Sequence, residues 1–280
     1  MSGADIVMRV EDVLVTYRRV GRTTEAVKGV SFELREGRCL GIVGESGSGK
    51  SSLARALLGL EPEAASGRVW FRGEDVLSMD RRARAAFRRS AQMVFQDPLG
   101  SLNPRMRVGD AIGEVLRVHG RAKGRREAAE RAAEWLGTVG LGAEYAPRYP
   151  HELSGGQRQR VNLARSLCAG ATFLIADEPV SALDVSVQAL ILNLMKRLQR
   201  ERGITWILIG HDLAVMRAMA DDLLVMRAGE CVERGPAERV LFEPRHPYTR
   251  ELLSAVPDVA GALRRRGGGG ARQSGREQNT

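Results

Sequence analysis

The segment Gly44-Glu45-Ser46-Gly47-Ser48-Gly49-Lys50-Ser51 constrains this chain more than any other. Its glycines let backbone N–H groups converge on an anion that side chains would otherwise obstruct. The short apolar run Cys39–Val43 reads as a buried strand leading into the loop, and Ser51–Leu60 reads as the helix behind it. Such a helix aims its positive end at the same anion. The fit to G-x-x-x-x-G-K-[ST] makes that anion a nucleotide phosphate chain, with Lys50 reaching the β- and γ-phosphates and Ser51 ligating Mg²⁺. Ser52 is grouped with the same nucleotide-contacting set.

Two further segments say what is done with the phosphates. Phe173–Asp177 is an apolar strand ending in a carboxylate. A buried unpaired carboxylate is costly, so Asp177 at a strand end asks for a cation partner. Glu178, one residue on, is placed to orient an attacking water or take its proton. In Leu153-Ser154-Gly155-Gly156-Gln157, Ser154 is an N-cap for a helix running to about Ala169. Gly155 and Gly156 bare the amides at that helix start, which makes a second phosphate site. Two such sites in one chain make sense if the nucleotide lies between two subunits, each supplying one half.

The rest of the pattern is α/β. Residues 7–17 and 30–34 read as strands, as do Val69–Phe71 and Met93–Phe95. Val108, Ile112, Val115 and Leu116 form one helical stripe, and Ala128, Ala132, Trp135, Leu136 and Val139 a second. Residues 98 to 156 are therefore expected to be a helical insertion. Phe173–Ala176 and Trp206–Ile209 have the continuous apolar character of parallel strands covered on both faces. Val187, Leu190, Ile191, Leu194 and Leu198 mark a crossover helix between them. A strand pair at Leu223–Met226 and Cys231–Glu233 follows, then short helices at Ala237–Phe242 and Tyr248–Ala255. The expected fold is a mostly parallel sheet core with antiparallel strands near the N-terminus. The domain is expected over 1–257, with 258–280 a disordered basic tail rich in Gly and Arg.

Composition excludes several classes. No apolar run approaches the roughly 18–20 residues that span a bilayer, and the first residues lack a signal-peptide layout. A cytoplasmic chain is expected. Cys39, Cys168 and Cys231 are far apart and unpaired in pattern, so buried packing is expected rather than metal or disulfide chemistry. The net charge is +9, and all but four of the 43 basic residues are arginine. Such a balance can attract nucleic acid or anionic lipid. Arg81, Arg82, Arg84, Arg88 and Arg89, however, lack aromatic interleaving and read as a solvated helix face.

On these ordered motifs the chain resembles the nucleotide-binding subunit of ATP-binding-cassette (ABC) transporters, from about residue 7 to 257. The resemblance implies a P-loop NTPase fold of ABC type, with ATP and Mg²⁺ as ligands. It assigns Gln96 to a loop that senses Mg²⁺ and the γ-phosphate, and Asp184 in Ser181-Ala182-Leu183-Asp184 to a loop crossing the dimer interface. His211 matches the switch histidine at the γ-phosphate, and Tyr17 the ring that stacks on adenine. Val180 and Gly210 stand where threonine and serine or threonine are common.

Val94-Phe95-Gln96-Asp97-Pro98, Ser101-Leu102-Asn103-Pro104 and Arg245-His246-Pro247-Tyr248-Thr249-Arg250-Glu251-Leu252-Leu253 are similar to the peptide and nickel import branch. That implies a second ATPase subunit, two integral-membrane permease subunits and, indirectly, a solute-binding protein at the bacterial inner membrane. An iron–sulfur site, found in some members, has no cysteines here beyond Cys231. An exporter subunit, or a non-transport ATPase acting on nucleic acid or the ribosome, is the competing reading.

Overall fold

The computed structural model describes residues 5–19, 22–95 and 100–254. Four strands form an antiparallel sheet in the order β2-β1-β4-β5: β1 (Ile6–Arg19), β2 (Arg22–Arg35), β4 (Ala65–Phe71) and β5 (Glu74–Asp75). A second, six-stranded sheet has the order β10-β9-β3-β8-β7-β6. Its members are β3 (Cys39–Val43), β6 (Ala91–Val94), β7 (Phe173–Asp177), β8 (Thr205–Gly210), β9 (Asp222–Arg227) and β10 (Glu230–Pro236). All adjacent pairs in it are parallel except β9 with β10.

Every residue of β3 and β8 is buried, as strands covered on both faces must be. Their alternating side chains feed two cores. Leu40, Ile42, Phe173, Ile175, Ile207 and Ile209 face the antiparallel sheet and α1 (Lys50–Leu57). Cys39, Val43, Leu174, Ala176, Trp206 and Leu208 face the helices. The helical side comprises α3 (Val108–Val118), α4 (Arg125–Thr138), α5 (Gly155–Cys168), α6 (Val185–Arg202) and α7 (Leu213–Met219). α2 (Arg81–Ser90) precedes β6, and α8 (Ala237–Phe242) and α9 (Pro247–Ser254) close the described chain.

Helices α3 and α4 pack on one another and on α5, with Ile112, Leu116, Ala128, Ala132, Leu136 and Val139 buried between them. Val115 and Trp135 lie at the margin of that core, and the Arg202 guanidinium covers the indole at 4.9 Å. Among the described residues no helix is long and apolar enough to cross a membrane.

Several sequence expectations need adjusting. The helix behind the glycine loop ends at Leu57, three residues early, because Gly59 turns into the left-handed region at φ 57°. β6 stops at Val94, and Phe95 is exposed beyond it. Leu190 does not belong to the buried stripe of α6, being 53% exposed. Ile191, Leu194, Met195 and Leu198 supply that face, and position 190 falls at its edge. The first two strands are longer than expected and pair over nearly their whole length.

Cys39 and Cys168 are buried, Cys231 is half-buried, and all three are free thiols. Burial pushes the Cys168 thiol up to about 12, so it packs as an inert apolar group. The arginines of α2 are mainly exposed, and only Arg84 is half-buried, donating to the Met79 carbonyl. Residues 258–280, expected to be a tail, lie outside the described residues.

Because β8 lies between β3 and β7 with both faces covered, truncating it should be felt throughout the sheet. Ile207→Ala should cost roughly 2–5 kcal/mol of unfolding free energy in urea titration. A loss below about 1 kcal/mol would contradict the placement of Ile207 at the centre of the core.

Candidate active site

Strand order and register assemble the site. β3, β8 and β7 are parallel neighbours, with Val43 paired to Gly210 and Ile209 paired to Asp177. Their carboxyl ends therefore carry the glycine loop, His211 and the Asp177-Glu178 pair side by side. Ligands of open parallel sheets bind at such strand ends.

Gly44, Gly47 and Gly49 all have positive φ, at 153°, 79° and 100°. At Gly44 and Gly49 a Cβ would collide with the Met226 and Ala26 carbonyls, so these positions combine left-handed backbone with close approach. The start of α1 at Lys50 has no side-chain cap, which leaves its first amides for an anion. Glu45, Ser46 and Gly47 are exposed at the loop's outer turn, Ser48 is buried, and Ser51 and Ser52 are half-buried on the first turn of α1.

Lys50 folds back into the loop. Its ammonium donates to the carbonyls of Gly44 at 2.8 Å and Glu45 at 2.7 Å, and to Ser48 Oγ at 3.3 Å. Burial lowers its pKa from the usual lysine value, while the carboxylates of Glu178, Asp177 and Glu45 hold the proton on. A phosphate oxygen can replace those carbonyls and supply more charge than they do.

Asp177 is half-buried at the end of β7. Burial raises its pKa above the ordinary carboxylate value, a hydrogen bond with the Ser51 side chain opposes that, and Glu178 adds to it. Ser51 and Asp177 thus meet as two hard oxygen donors, the set that a divalent cation on phosphate takes from a protein. Glu178 has φ 46°, a left-handed conformation uncommon outside glycine, and its amide donates to the Ile209 carbonyl at 2.9 Å. That turn lifts the carboxylate off the strand end, where Oε1 lies 3.1 Å from His211 Nδ1. His211 itself is mostly exposed.

The second phosphate-type element lies elsewhere in the chain. Ser154 caps α5, accepting from Gln157 N at 3.3 Å, while Gln157 Oε1 accepts from Ser154 N at 2.9 Å. Gln157 also donates to the Tyr145 hydroxyl at 3.1 Å. Gly156 has a second reason to be glycine: a Cβ there would collide with Val187 of α6. Among the described residues no hydrogen bond joins Ser154, Gly155, Gly156 or Gln157 to the Gly44–Ser51 loop. Asp184 caps α6, accepting from Val187 N at 2.9 Å and from Ser186 Oγ, and these bonds hold its pKa below the usual value.

Tyr17 is half-buried and donates to Glu61 at 2.7 Å. It borders a cleft of 940 Å³ with Thr16, Arg18, Thr24 and Arg55, the last on α1. Val180 is buried, consistent with an apolar residue there. At Gly210 a Cβ would sit 3.2 Å from Met216 Cε, so this neighbourhood has closed over the glycine. Gln96, expected at the γ-phosphate, lies outside the described residues.

A family model described as "ABC transporter" matches residues 27–181, and one described as "Oligopeptide/dipeptide transporter, C-terminal region" matches 232–279. The oligopeptide transport ATP-binding protein OppF of Bacillus subtilis is 50% identical over 236 residues, covering 84% of this chain and 77% of its own. The dipeptide transport ATP-binding protein DppF of Haemophilus influenzae is 45% identical over 241 residues, covering 86% and 73%. Among solved structures, the dimeric post-hydrolysis state of the cassette MJ0796 bound to ADP and Pi superposes with a TM-score of 0.73. It is 28% identical and covers 82% of this chain and 98% of its own. The chain belongs to the ABC transporter family and is an ATP-binding, ATP-hydrolysing subunit.

Asp177 also ties stability to pH. Its native pKa is raised, so the folded protein holds that proton more tightly than the unfolded chain. The ionised form therefore costs stability at neutral pH, and the cost is relieved as pH falls through the raised pKa. In calorimetric scans of nucleotide- and metal-free protein, Asp177→Asn should melt above the parent at neutral pH. The gap should narrow on acidification. A lower melting temperature for the variant at neutral pH would contradict the assignment.

Proposed function

We propose that this chain energises import of di- and oligopeptides as one of two paired ATPase subunits docked on two integral-membrane permease subunits. A solute-binding protein contributes indirectly, and the complex works at the cytoplasmic face of a bacterial inner membrane, with no nucleic-acid partner. The observation that carries the reading is the meeting of Lys50, Asp177, Glu178 and His211 at adjacent strand ends. The glycine-capped start of α5 lies apart from them. A site that holds the phosphates but leaves its second amide cluster elsewhere is completed by another cassette. The dimeric state of the MJ0796 structure supports that arrangement.

On this reading residues 1–257 form the ATPase domain, with the helical insertion near 98–156. ATP lies on the Gly44–Ser51 loop, its adenine against Tyr17 and its phosphates on Lys50. Mg²⁺ fits Ser51 and Asp177, with Gln96 completing that set, and would neutralise charge on the β- and γ-phosphates. Ser154, Gly155, Gly156 and Gln157 of a second subunit cap the γ-phosphate, with Asp184 at the seam. Closure excludes water other than the attacking one. Glu178 orients that water and accepts its proton, and His211, already hydrogen-bonded to Glu178, contacts the γ-phosphate. Residues after Gln96 pass the motion to a cytoplasmic segment of the membrane partner.

Peptides are favoured over nickel because the C-terminal match is to an oligopeptide/dipeptide transporter region and the relatives above are named for peptide transport. Stimulation of ATPase activity by permeases with peptide-loaded binding protein, and not by DNA or RNA, is the expected result. Stimulation by nucleic acid alone would overturn the import reading.

Two substitutions test the site. Glu178→Gln should bind ATP yet hydrolyse it at least ~100-fold more slowly in a phosphate-release assay. Near-normal turnover would remove Glu178 from the reaction. Lys50→Ala should lose most ATP affinity by titration calorimetry, and unchanged binding would count against the loop.

A further inference from the structure

The C-terminal segment reaches the nucleotide loop directly. Tyr248 is only 2% exposed, and its hydroxyl accepts the backbone N–H of Glu45 at 3.1 Å, across 203 positions of sequence. The same residue, Glu45, offers its carbonyl to Lys50 at 2.7 Å. One tyrosine thus fixes the outer turn of the loop whose other side holds the ammonium. On the remaining sides the loop rests against Ala26 of β2 and against Gly229, whose N–H donates to Ser48 O at 3.0 Å.

The tyrosine is itself held. Glu233 of β10 takes both the Arg245 N–H, at 2.8 Å, and the His246 N–H, at 3.0 Å. His246 Nδ1 then accepts from Tyr248 N at 3.2 Å. Pro247 opens α9 without needing an N–H partner. The Arg227 guanidinium, at the end of β9, covers the Tyr248 ring at 4.7 Å. The chain of contacts from β10 through the Arg245–Thr249 turn to Glu45 is continuous.

We propose that Tyr248 is a positioning residue for ATP binding: through it the C-terminal segment preorganises the phosphate loop and sets nucleotide affinity. The proposal rests on Gly44–Ser51 being the ATP loop. A loop that must fix its amides only on binding loses affinity by the ordering it then undergoes. Without the hydroxyl, the Glu45 amide has no acceptor in its present place. The Gly44–Glu45 peptide, whose carbonyl takes the Lys50 ammonium at 2.8 Å, then loses its anchor on the N–H side.

The test is Tyr248→Phe, which keeps the buried ring and its arginine neighbour and removes only the acceptor. ATP affinity by calorimetry should weaken roughly three- to tenfold, the range of one lost hydrogen bond. KM for ATP should rise in parallel, while kcat changes less than about twofold, since only the binding step is affected. Thr249→Val is the control on the same helix, because the Thr249 hydroxyl is buried without a partner among the described residues. It should leave ATP affinity unaltered.

Tyr248→Phe with parental ATP affinity would overturn the proposal. So would equal weakening by Thr249→Val, which would mean that any change in α9 disturbs the loop. Lys50→Ala separates the two levels. If it binds ATP normally, the loop assignment itself fails. If it loses ATP while Tyr248→Phe does not, only the role of Tyr248 fails.

Discussion

The active site depends on the side-by-side alignment of three parallel strands. Because β8 sits between β3 and β7, Val43, Gly210 and Asp177 end at one level. Residues 44, 211 and 178, far apart in sequence, then project from one edge of the sheet. Backbone pairing supplies the coarse alignment, and the apolar layers on both faces fix it. A one-residue slip in any of the three strands would turn its side chains to the opposite face. The chemistry is thereby tied to the packing of the core.

Two local devices refine what the strands provide. The left-handed residue Glu178 turns the chain sharply enough to place its carboxylate beside His211. The glycines at 44 and 49 admit the Met226 and Ala26 carbonyls, which seat the phosphate loop on β9 and β2. Burial works against the charges of Lys50 and of half-buried Asp177, and each in turn favours the charged form of the other. Stability is given up at this point for a site that is charged and partly dry before ATP arrives.

Much of this was legible in the sequence because the signals were local. The glycine loop, the Ser154 cap with Gln157 and the apolar strands ending at Asp177 each depend on neighbours within a few residues. The fold class followed from continuous apolar strands alternating with helical stripes. Leu190 lies outside the buried face of α6 because helical periodicity alone does not say how wide a buried stripe is. The helix after Ser51 stops short of the end of its apolar run because the left-handed turn at Gly59 outweighs that run. Asp184, which the resemblance places at the subunit seam, also caps α6. Tyr248 was visible as part of a motif, but its contact with Glu45 joins opposite ends of the chain and no local pattern encodes it.

The ATPase rate per chain, measured as the purified protein is diluted, tests most directly whether one chain holds only half of the closed site. A nucleotide sandwiched between the Lys50 loop of one cassette and the Ser154–Gly156 amides of another requires that rate to fall toward zero as chains separate. It should recover when concentration or membrane partners bring cassettes together. A constant rate per chain down to a demonstrated monomer, unaffected by substitution of Ser154 and Gly156, would contradict it.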